Sequence, residues 1–285
     1  ISSLENSVWK RRKLADVEEL IEDCLGLYVE ATASVYGISP GETLDINIEV
    51  VNRSRVPASL MKISSDDLSY DSTLNFELKY DISNVFKSKK VLRPSTSYSD
   101  PYWLREHHEQ GIFTVKEKSQ IGKPQNDPAI VIEFGIKIGQ ESLKLRRPVI
   151  HKWTDPVKGE LWRPLEVVPP VSVDLADRVL IFSDDQPRMV SVRMKSSSDK
   201  SISGQLRLEL PPDWHSDPAS SEFELKSRGE LVAQFTVFPG KAELTASLSA
   251  IANVDGKDYD RAVKTINYDH IPIQTFLSRA EAKVA

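Results

Sequence analysis

The residues with the greatest capacity for ligand chemistry gather in one irregular run, LRPSTSYSDPYWLREHHEQG. Aromatic rings offer a flat apolar face, and charged side chains beside them supply hydrogen bonds. We therefore predict a glycan or partner contact here, formed by Tyr98, Tyr102, Trp103, Arg105 and His107, with the three aromatic rings as a stacking platform. The alternative, which the sequence favours, is that the rings close the open end of a β-sandwich.

The same run offers little for metal or catalytic chemistry. His107 and His108 are adjacent, so their side chains point in different directions, and neither an H-x-x-x-H spacing nor a cysteine partner is present. Two Asp-Asp pairs, at 66–67 and 184–185, lie beside serines in turn-like segments. No G-x-S-x-G, P-loop, G-x-G-x-x-G or H-E-x-x-H motif occurs. We therefore assign no catalytic residue, no metal site and no cofactor to this chain.

The elements that must position these residues begin with a helix, predicted over residues 1–26. Its apolar residues recur at helical spacing, which places them on one face, and Gly26 is suited to end the helix. The face consists of Leu14, Val17, Ile21, Cys24 and Leu25. We expect this face to be packed, with the single cysteine as a buried apolar residue and not as a nucleophile.

From residue 27 the apolar pattern changes to a period of two, which is typical of strands with one buried face. Leu44, Ile46, Ile48 and Val50, for example, alternate with polar residues. Turn signals separate the strands, and no helices of crossover length lie between them. We therefore predict a mainly β protein with two tandem immunoglobulin- or fibronectin-like β-sandwiches, preceded by one N-terminal α-helix.

The predicted boundaries divide the chain into four parts. The helix at 1–26 leads out of an upstream domain. The first sandwich spans 27–168 and carries a long loop at 83–128, the second spans 169–270, and 271–285 leads towards a further domain. We expect a piece of a longer protein, because the chain lacks an initiator Met and enters the helical pattern almost at once.

The two sandwiches would meet at the run HKWTDPVKGELWRPLEVVPPV. Its two prolines, Pro169 and Pro170, lack backbone N–H donors and hold the chain extended. Trp153 and Trp162 would pack near this junction and keep the sandwiches in a fixed relation. A pair of sugar-binding tryptophans is the alternative.

Size and charge exclude several classes of partner. The 285 residues are enough for two domains, and the formal net charge of -5 gives a nucleic-acid backbone nothing to hold. No apolar run approaches the roughly 20 residues needed to cross a bilayer. We therefore predict neither a nucleic-acid partner nor a membrane span.

Four runs together resemble the region behind the catalytic domain of large bacterial PIG-L/LmbE-like deacetylases. They are SDPYWLR, WTDPVKGELWRPLEVVPPVSVDL, LPPDWHSDP and INYDHIPIQTF, and the resemblance extends over nearly the whole chain. Members of that family have a Rossmann-like N-terminal domain that uses zinc to hydrolyse N-acetyl groups of N-acetylglucosamine-type conjugates. The family's His-Pro-Asp-Asp motif is missing here, since the nearest strings, SSDD at 64–67 and FSDD at 182–185, lack His and Pro.

The resemblance implies a non-catalytic accessory or scaffolding region, whose partner is the upstream catalytic domain of the same chain. Zinc is then expected in that missing domain, and a periplasmic or extracellular location is expected for the parent protein. The alternative is an autonomous carbohydrate-binding or protein-interaction module that uses Tyr102, Trp103 and Trp162. A third hypothesis, an enzyme in its own right, requires a convergent polar cluster that the sequence does not show.

Overall fold

A computed structural model describes the chain at residues 5, 7–106, 111–182, 186–241 and 245–285. Strands in several sheets dominate it, so the prediction of a mainly β protein is confirmed. The described residues form two compact units. The first unit lies within 1–36, 41–96 and 127–165, and the second within 37–40, 97–126 and 166–285.

One α-helix and twenty-two strands are found in the described residues. In the first part of the chain they are α1 (Val8–Leu25), β1 (Leu27–Ala33), β2 (Gly37–Ile38), β3 (Thr43–Asn52), β4 (Ala58–Ser65), β5 (Tyr70–Leu78), β6 (Ser83–Val91), β7 (Val131–Ile138), β8 (Glu141–Asp155), β9 (Gly159–Pro164) and β10 (Glu166–Val167). They continue with β11 (Val171–Leu175), β12 (Val179–Leu180), β13 (Arg188–Ser196), β14 (Ile202–Glu209), β15 (His215–Asp217), β16 (Ser220–Leu225), β17 (Glu230–Phe238), β18 (Ala246–Val254), β19 (Lys257–Tyr259), β20 (Arg261–Ile266), β21 (Gln274–Arg279) and β22 (Glu281–Val284). A short 3-10 helix lies at Lys118–Gln120.

The first unit is built on an eight-stranded sheet. Its strands follow the order β5-β4-β7-β8-β1-β3-β6, and β9 pairs with β8. All neighbours are antiparallel except β1 and β8, which run parallel. Phe76 on β5 meets Phe86 on β6 edge to face, with 5.5 Å between ring centroids. Side chains therefore bring the two end strands of the sheet together.

Strand β3 shows how the sequence specifies the core of this unit. Leu44, Ile46, Ile48 and Val50 are each 2% exposed or less, whereas the residues between them face outwards. Burying a side chain of this kind contributes roughly 1.5 to 3 kcal/mol. The predicted period-two pattern thus identifies the buried face of the strand.

In the second unit, two sheets enclose one apolar core. The first has the order β11-β13-β17-β15, and the second the order β12-β22-β18-β14-β16 with β19 on β18. Val192 and Phe235 enter the core from the first sheet, and Leu206 and Leu248 from the second; all four are 0% exposed. The unit is therefore a β-sandwich. Short pairs, β2 with β10 and β20 with β21, complete it.

The helix α1 begins and ends at residues suited to those places. The Ser7 side chain accepts a hydrogen bond from the backbone N–H of Lys10 at 3.1 Å, which is an N-cap. Gly26 ends the helix with a φ of +56°, and a Cβ there would approach the Cβ of Arg53 to 3.1 Å. No helix among the described residues is both long and apolar enough to cross a membrane.

The expectation that Cys24 is buried is wrong, and the predicted apolar face is covered only in part, with Leu14 and Leu25 half-buried. Cys24 is exposed, and Val17 and Ile21 expose 36% and 40% of their surfaces. The buried residue of the helix is Glu22, at 8% exposure, and its carboxylate forms an ion pair with Arg147. This ion pair lies on the side of the helix that contacts the sheet, and Val17, Ile21 and Cys24 face outwards.

The structure also differs from the predicted boundaries in three places. The predicted loop 83–128 begins with a regular strand, because β6 pairs with β3 over nine residues. Residues 97–126 belong to the second unit and not to the first. Residues 271–285, predicted to lead out of the domain, contain β21 and β22, which pair with β20 and β18.

Candidate functional site

The 97–126 segment is organised by one buried carboxylate, Asp100, which is 5% exposed. Its Oδ1 atom accepts a hydrogen bond from the backbone N–H of Leu277 on β21 at 2.9 Å. Its Oδ2 atom lies 3.4 Å from the guanidinium of Arg261 on β20. A carboxylate at this depth is stabilised only by such charge-assisted partners. The carboxylate therefore fastens the segment to the β20–β21 pair.

The backbone of Asp100 closes the segment on itself. Its carbonyl oxygen accepts hydrogen bonds from the Arg105 guanidinium at 3.0 Å and from the Asn126 side chain at 2.9 Å. The amide oxygen of Asn126 in turn accepts from the backbone N–H of Tyr102 at 2.9 Å. One end of the segment is thus bonded to the other through a single asparagine.

The preceding residue ties the segment to a further strand. The Ser99 backbone N–H donates to the Val167 carbonyl at 2.8 Å, and the Ser99 hydroxyl accepts from the Val167 N–H at 2.9 Å. Both bonds use backbone groups of Val167, which is fully buried, so these groups need partners within the chain. The run SDPYWLR therefore supplies a set of internal hydrogen bonds.

The predicted aromatic platform is partly covered. Tyr98, Tyr102 and Trp103 are all half-buried. The Tyr102 hydroxyl donates to the Lys123 carbonyl at 3.1 Å, and its ring meets that of Trp103 edge to face at 4.8 Å. The segment brings four of the five predicted contact residues together, and His107 lies outside the described residues. The glycan or partner contact stays a prediction.

Burial sets the acid–base properties of this site. Burial raises the pKa of the Asp100 carboxyl above its ordinary value, while the Leu277 N–H, Arg261 and Arg105 oppose the shift. Burial also raises the pKa of the Tyr98 hydroxyl. The network can hold a chain segment in place.

Sequence reasoning missed Asp100 and Asn126, which hold the segment together. Asp100 precedes a proline, and that local signal predicts only a turn. Its partner Leu277 lies 177 residues further along the chain. No short motif can indicate a pairing over that separation.

The β8–β9 hairpin of the first unit carries the other candidate residues. Trp162 is 61% exposed, although we predicted it to be packed, and it pairs across the hairpin with Lys152. Burial lowers the pKa of Lys152, but the carboxylates of Glu160 at 2.7 Å and Glu30 at 3.1 Å outweigh this effect and raise it. An exposed indole thus lies beside a fixed ammonium and two carboxylates.

His151 and Trp153 belong to the same hairpin but are half-buried. Their rings stack at 5.7 Å between centroids, and the His151 Nδ1 atom lies 3.1 Å from the Ala33 carbonyl oxygen. The neighbouring Tyr36 ring lies beneath the Arg163 guanidinium at 4.5 Å. This arrangement packs the root of the hairpin and leaves Trp162 as its exposed aromatic residue.

The first of the two acidic pairs lines a cleft of about 650 Å³ in the first unit. Asp66, Asp67, Asp127, Glu133 and Arg146 contribute to its wall, and Arg146 pairs with Glu133 at 3.1 Å. Among the described residues, no group of three or more His, Cys, Asp or Glu side chains is arranged to hold a metal ion. The second pair, at 184–185, lies outside the described residues.

Comparison with known proteins gives structural similarity without a family. No protein-family model matches the chain, and no curated protein matches it. Red sea bream transglutaminase matches over 91% of this chain and 33% of its own, with 7% identity and a TM-score of 0.37. Alpha-2-macroglobulin from E. coli matches over 91% of this chain and 16% of its own, with 13% identity and a TM-score of 0.30.

A protein of unknown function from Porphyromonas gingivalis W83 is similar over 90% of this chain and 98% of its own. The identity is 10% and the TM-score 0.22. The chain thus spans a third or less of the transglutaminase and the macroglobulin. At these scores the matches establish no family and no shared activity.

Proposed function

We propose that this chain is a non-catalytic β-sandwich region that serves as a structural support within a larger protein. The observation that carries the proposal is the Asp100 network. In the 97–126 segment, the carboxylate of Asp100, the guanidinium of Arg105 and the hydroxyl of Tyr102 all bond to the chain itself. These are side chains of the kinds that often serve in catalysis, and in this segment they stabilise the fold.

The finer proposal is that the region positions the catalytic domain of a PIG-L/LmbE-like deacetylase. The resemblance of the four sequence runs supports it. The structure gives the first run, SDPYWLR, a structural role, since Ser99, Asp100 and Arg105 each hold the segment. If this run resembles the family because it stabilises the fold, that is what we expect of a non-catalytic accessory region. An immunoglobulin-like arrangement of two tandem sandwiches belongs to the same proposal.

An activity assay tests the non-catalytic part. The chain is incubated with Zn²⁺ and an N-acetylglucosamine conjugate, and released acetate is measured against a heat-denatured sample of the same chain. We expect equal acetate in both samples. Zinc-dependent release that is lost on denaturation would show that the chain is an enzyme and would overturn the proposal.

The sequence upstream of Ile1 in the parent protein tests the family part separately. A His-Pro-Asp-Asp motif after a strand pattern supports the deacetylase assignment. Its absence removes that assignment and leaves the structural role of the sandwiches intact.

The second candidate function is an autonomous carbohydrate-binding module, and the exposed Trp162 favours it. Its indole face and the neighbouring charges of Lys152 and Glu160 offer stacking together with hydrogen bonds. Titration with glycans, followed by tryptophan fluorescence, is expected to show binding that Trp162→Ala abolishes. Trp103→Ala is the matched control. Binding that survives Trp162→Ala would exclude Trp162 as the site, and an absence of binding would exclude this candidate.

A further inference from the structure

The helix α1 presents an apolar face to solvent. Val17, Leu20 and Ile21 are 36%, 60% and 40% exposed, and Cys24 is exposed beside them. The face that contacts the unit carries the buried Glu22, which pairs with Arg147, and the half-buried Leu14 and Leu25. Contiguous exposed apolar surface on a helix marks a contact with another molecule.

Charge is divided between the two halves of this helix. The first half carries four consecutive cations at 10–13, and the second half carries five acidic residues. They are Asp16, Glu18, Glu19, Glu22 and Asp23, and Glu22 is buried in its pair with Arg147, which leaves four acidic residues for a partner. A helix that is positive at one end and negative at the other complements a copy of itself only when the copy runs antiparallel. A parallel copy would set like charges side by side.

We propose that α1 is the docking surface for a second copy of this chain, paired antiparallel about a twofold axis near Val17. A twofold contact uses the same patch on both subunits, which one self-complementary helix provides. In this register Leu14 lies level with Leu20 of the second copy, and Lys10 lies level with Cys24 of the second copy. The seam is then apolar at its centre with Lys10 near each end, and the basic half of each helix lies beside the acidic half of the other.

The pairing is a weak one. Two helices of 18 residues bury less surface than the roughly 1,600 Å² of a standard interface, which places the contact in the transient class. Its charge pairs are exposed, so added salt weakens it. The interaction is independent of the structural role proposed above and adds a partner to it.

The single cysteine provides a direct test of the register. Residues 10, 17 and 24 are seven apart and share one face of the helix. In the antiparallel pair, position 10 lies opposite Cys24 of the second copy. The two Cys24 residues lie about 21 Å apart along the axis, since each is seven residues from the centre. A disulfide needs Cα atoms within about 7 Å.

The K10C variant is therefore expected to form a disulfide-linked dimer under mild oxidation, with position 10 joined to Cys24. Peptide mapping identifies the bond. The wild-type chain and the K10C/C24S variant are the controls, and neither is expected to cross-link. A wild-type dimer linked through Cys24, or a K10C variant that stays monomeric, would overturn the proposed pairing.

Charge exchange gives a second test, measured by sedimentation velocity from about 1 μM to about 1 mM, the range in which weak complexes dissociate. One variant carries Glu at positions 11, 12 and 13, and the other carries Lys at positions 16, 19 and 23. Each is expected to be monomeric alone and to form heterodimers when the two are mixed. A wild-type chain that stays monomeric throughout, or variants that do not associate on mixing, would refute the proposal.

Discussion

The helix α1 and the 97–126 segment use their most conspicuous side chains in opposite ways. The helix carries apolar residues at core spacing, yet Leu20 and Ile21 are exposed. The segment carries charged and aromatic residues of the kind found in binding sites, yet Asp100 is buried and bonded within the chain. In each case the long-range partners, and not the residue types, decide the role of the side chains.

The difference follows from which charged residue forms the anchor. In α1 the anchor is Glu22, so the face that carries Glu22 turns inwards, and Leu20 and Ile21 turn out. In the segment the anchor is Asp100, whose partners Leu277 and Arg261 draw the surrounding polar groups into the unit. A buried charge with a partner can therefore outweigh the apolar pattern that surrounds it.

The strongest test of this comparison removes the anchor of the segment. Asp100→Ala leaves the Leu277 N–H buried without an acceptor and Arg261 without its counter-ion. We expect a loss of about 3 kcal/mol in the free energy of unfolding. Urea denaturation measures it. The control is Asp199→Ala, which alters an exposed aspartate of the same unit and is expected to change stability by less than about 0.5 kcal/mol. Equal stability of the two variants would refute the anchoring role.

Removal of the helix anchor is expected to have a smaller effect. Arg147→Ala breaks the ion pair with Glu22 and the hydrogen bond to the Val29 carbonyl at 3.1 Å. Because the pair is partly exposed, we expect a loss of about 1 to 2 kcal/mol. Arg146→Ala, which removes an exposed pair with Glu133, is the neighbouring control. If both variants lose the same stability, the Glu22 pair is not the anchor of α1.

The pH dependence of the free energy of unfolding tests how ionisation of the Asp100 carboxyl affects stability. Burial raises the pKa of this carboxyl above its ordinary value of 3.8, so between the two values the native state binds more protons than the unfolded state. The stability that this group contributes is therefore full below pH 3.8 and is lost as the pH rises through the raised pKa.

The Asp100→Asn variant lacks this titration. Subtraction of its free energy of unfolding from that of the wild type is expected to give a difference that falls as the pH rises above 3.8 and then levels off. Urea denaturation over a pH series measures both proteins. A difference that grows with pH would mean that the carboxylate is favoured in the native state, contrary to the effect of burial.

The smallest change in stability is expected at the exposed face of α1. Leu20→Ala removes a side chain that is 60% exposed, so the free energy of unfolding of the monomer should change by less than about 0.5 kcal/mol. The same substitution is expected to weaken the antiparallel dimer measurably in sedimentation. A loss of stability as large as that of Arg147→Ala would show that the helix packs through its apolar stripe.

The sequence predicted those parts of the fold that depend on local periodicity. Alternation in β3 identified Leu44, Ile46 and Ile48 as buried residues, because a strand in a one-sided sheet places every second residue in the core. Gly26 was identified as the end of the helix, because few other residues adopt its positive φ at low cost. Both features are local.

The remaining features depend on contacts between distant residues. The stripe of α1 is real, but the pattern cannot say what covers it, and so the burial of Cys24 was predicted wrongly. The role of Asp100 depends on a strand 177 residues away. The end of the chain was predicted as a lead-out, although Leu277 is 7% exposed within a strand pair. Long-range pairing of this kind has no local signature.

Hydrogen–deuterium exchange at the Leu277 amide tests the central claim most directly, because that N–H donates to Asp100. We expect the amide to be strongly protected in the wild-type chain and to exchange much faster in Asp100→Ala, by more than the increase that the lower global stability causes at the Val192 and Phe235 amides in the core sheet. Equal protection of Leu277 in both proteins would contradict the claim that Asp100 fastens the 97–126 segment.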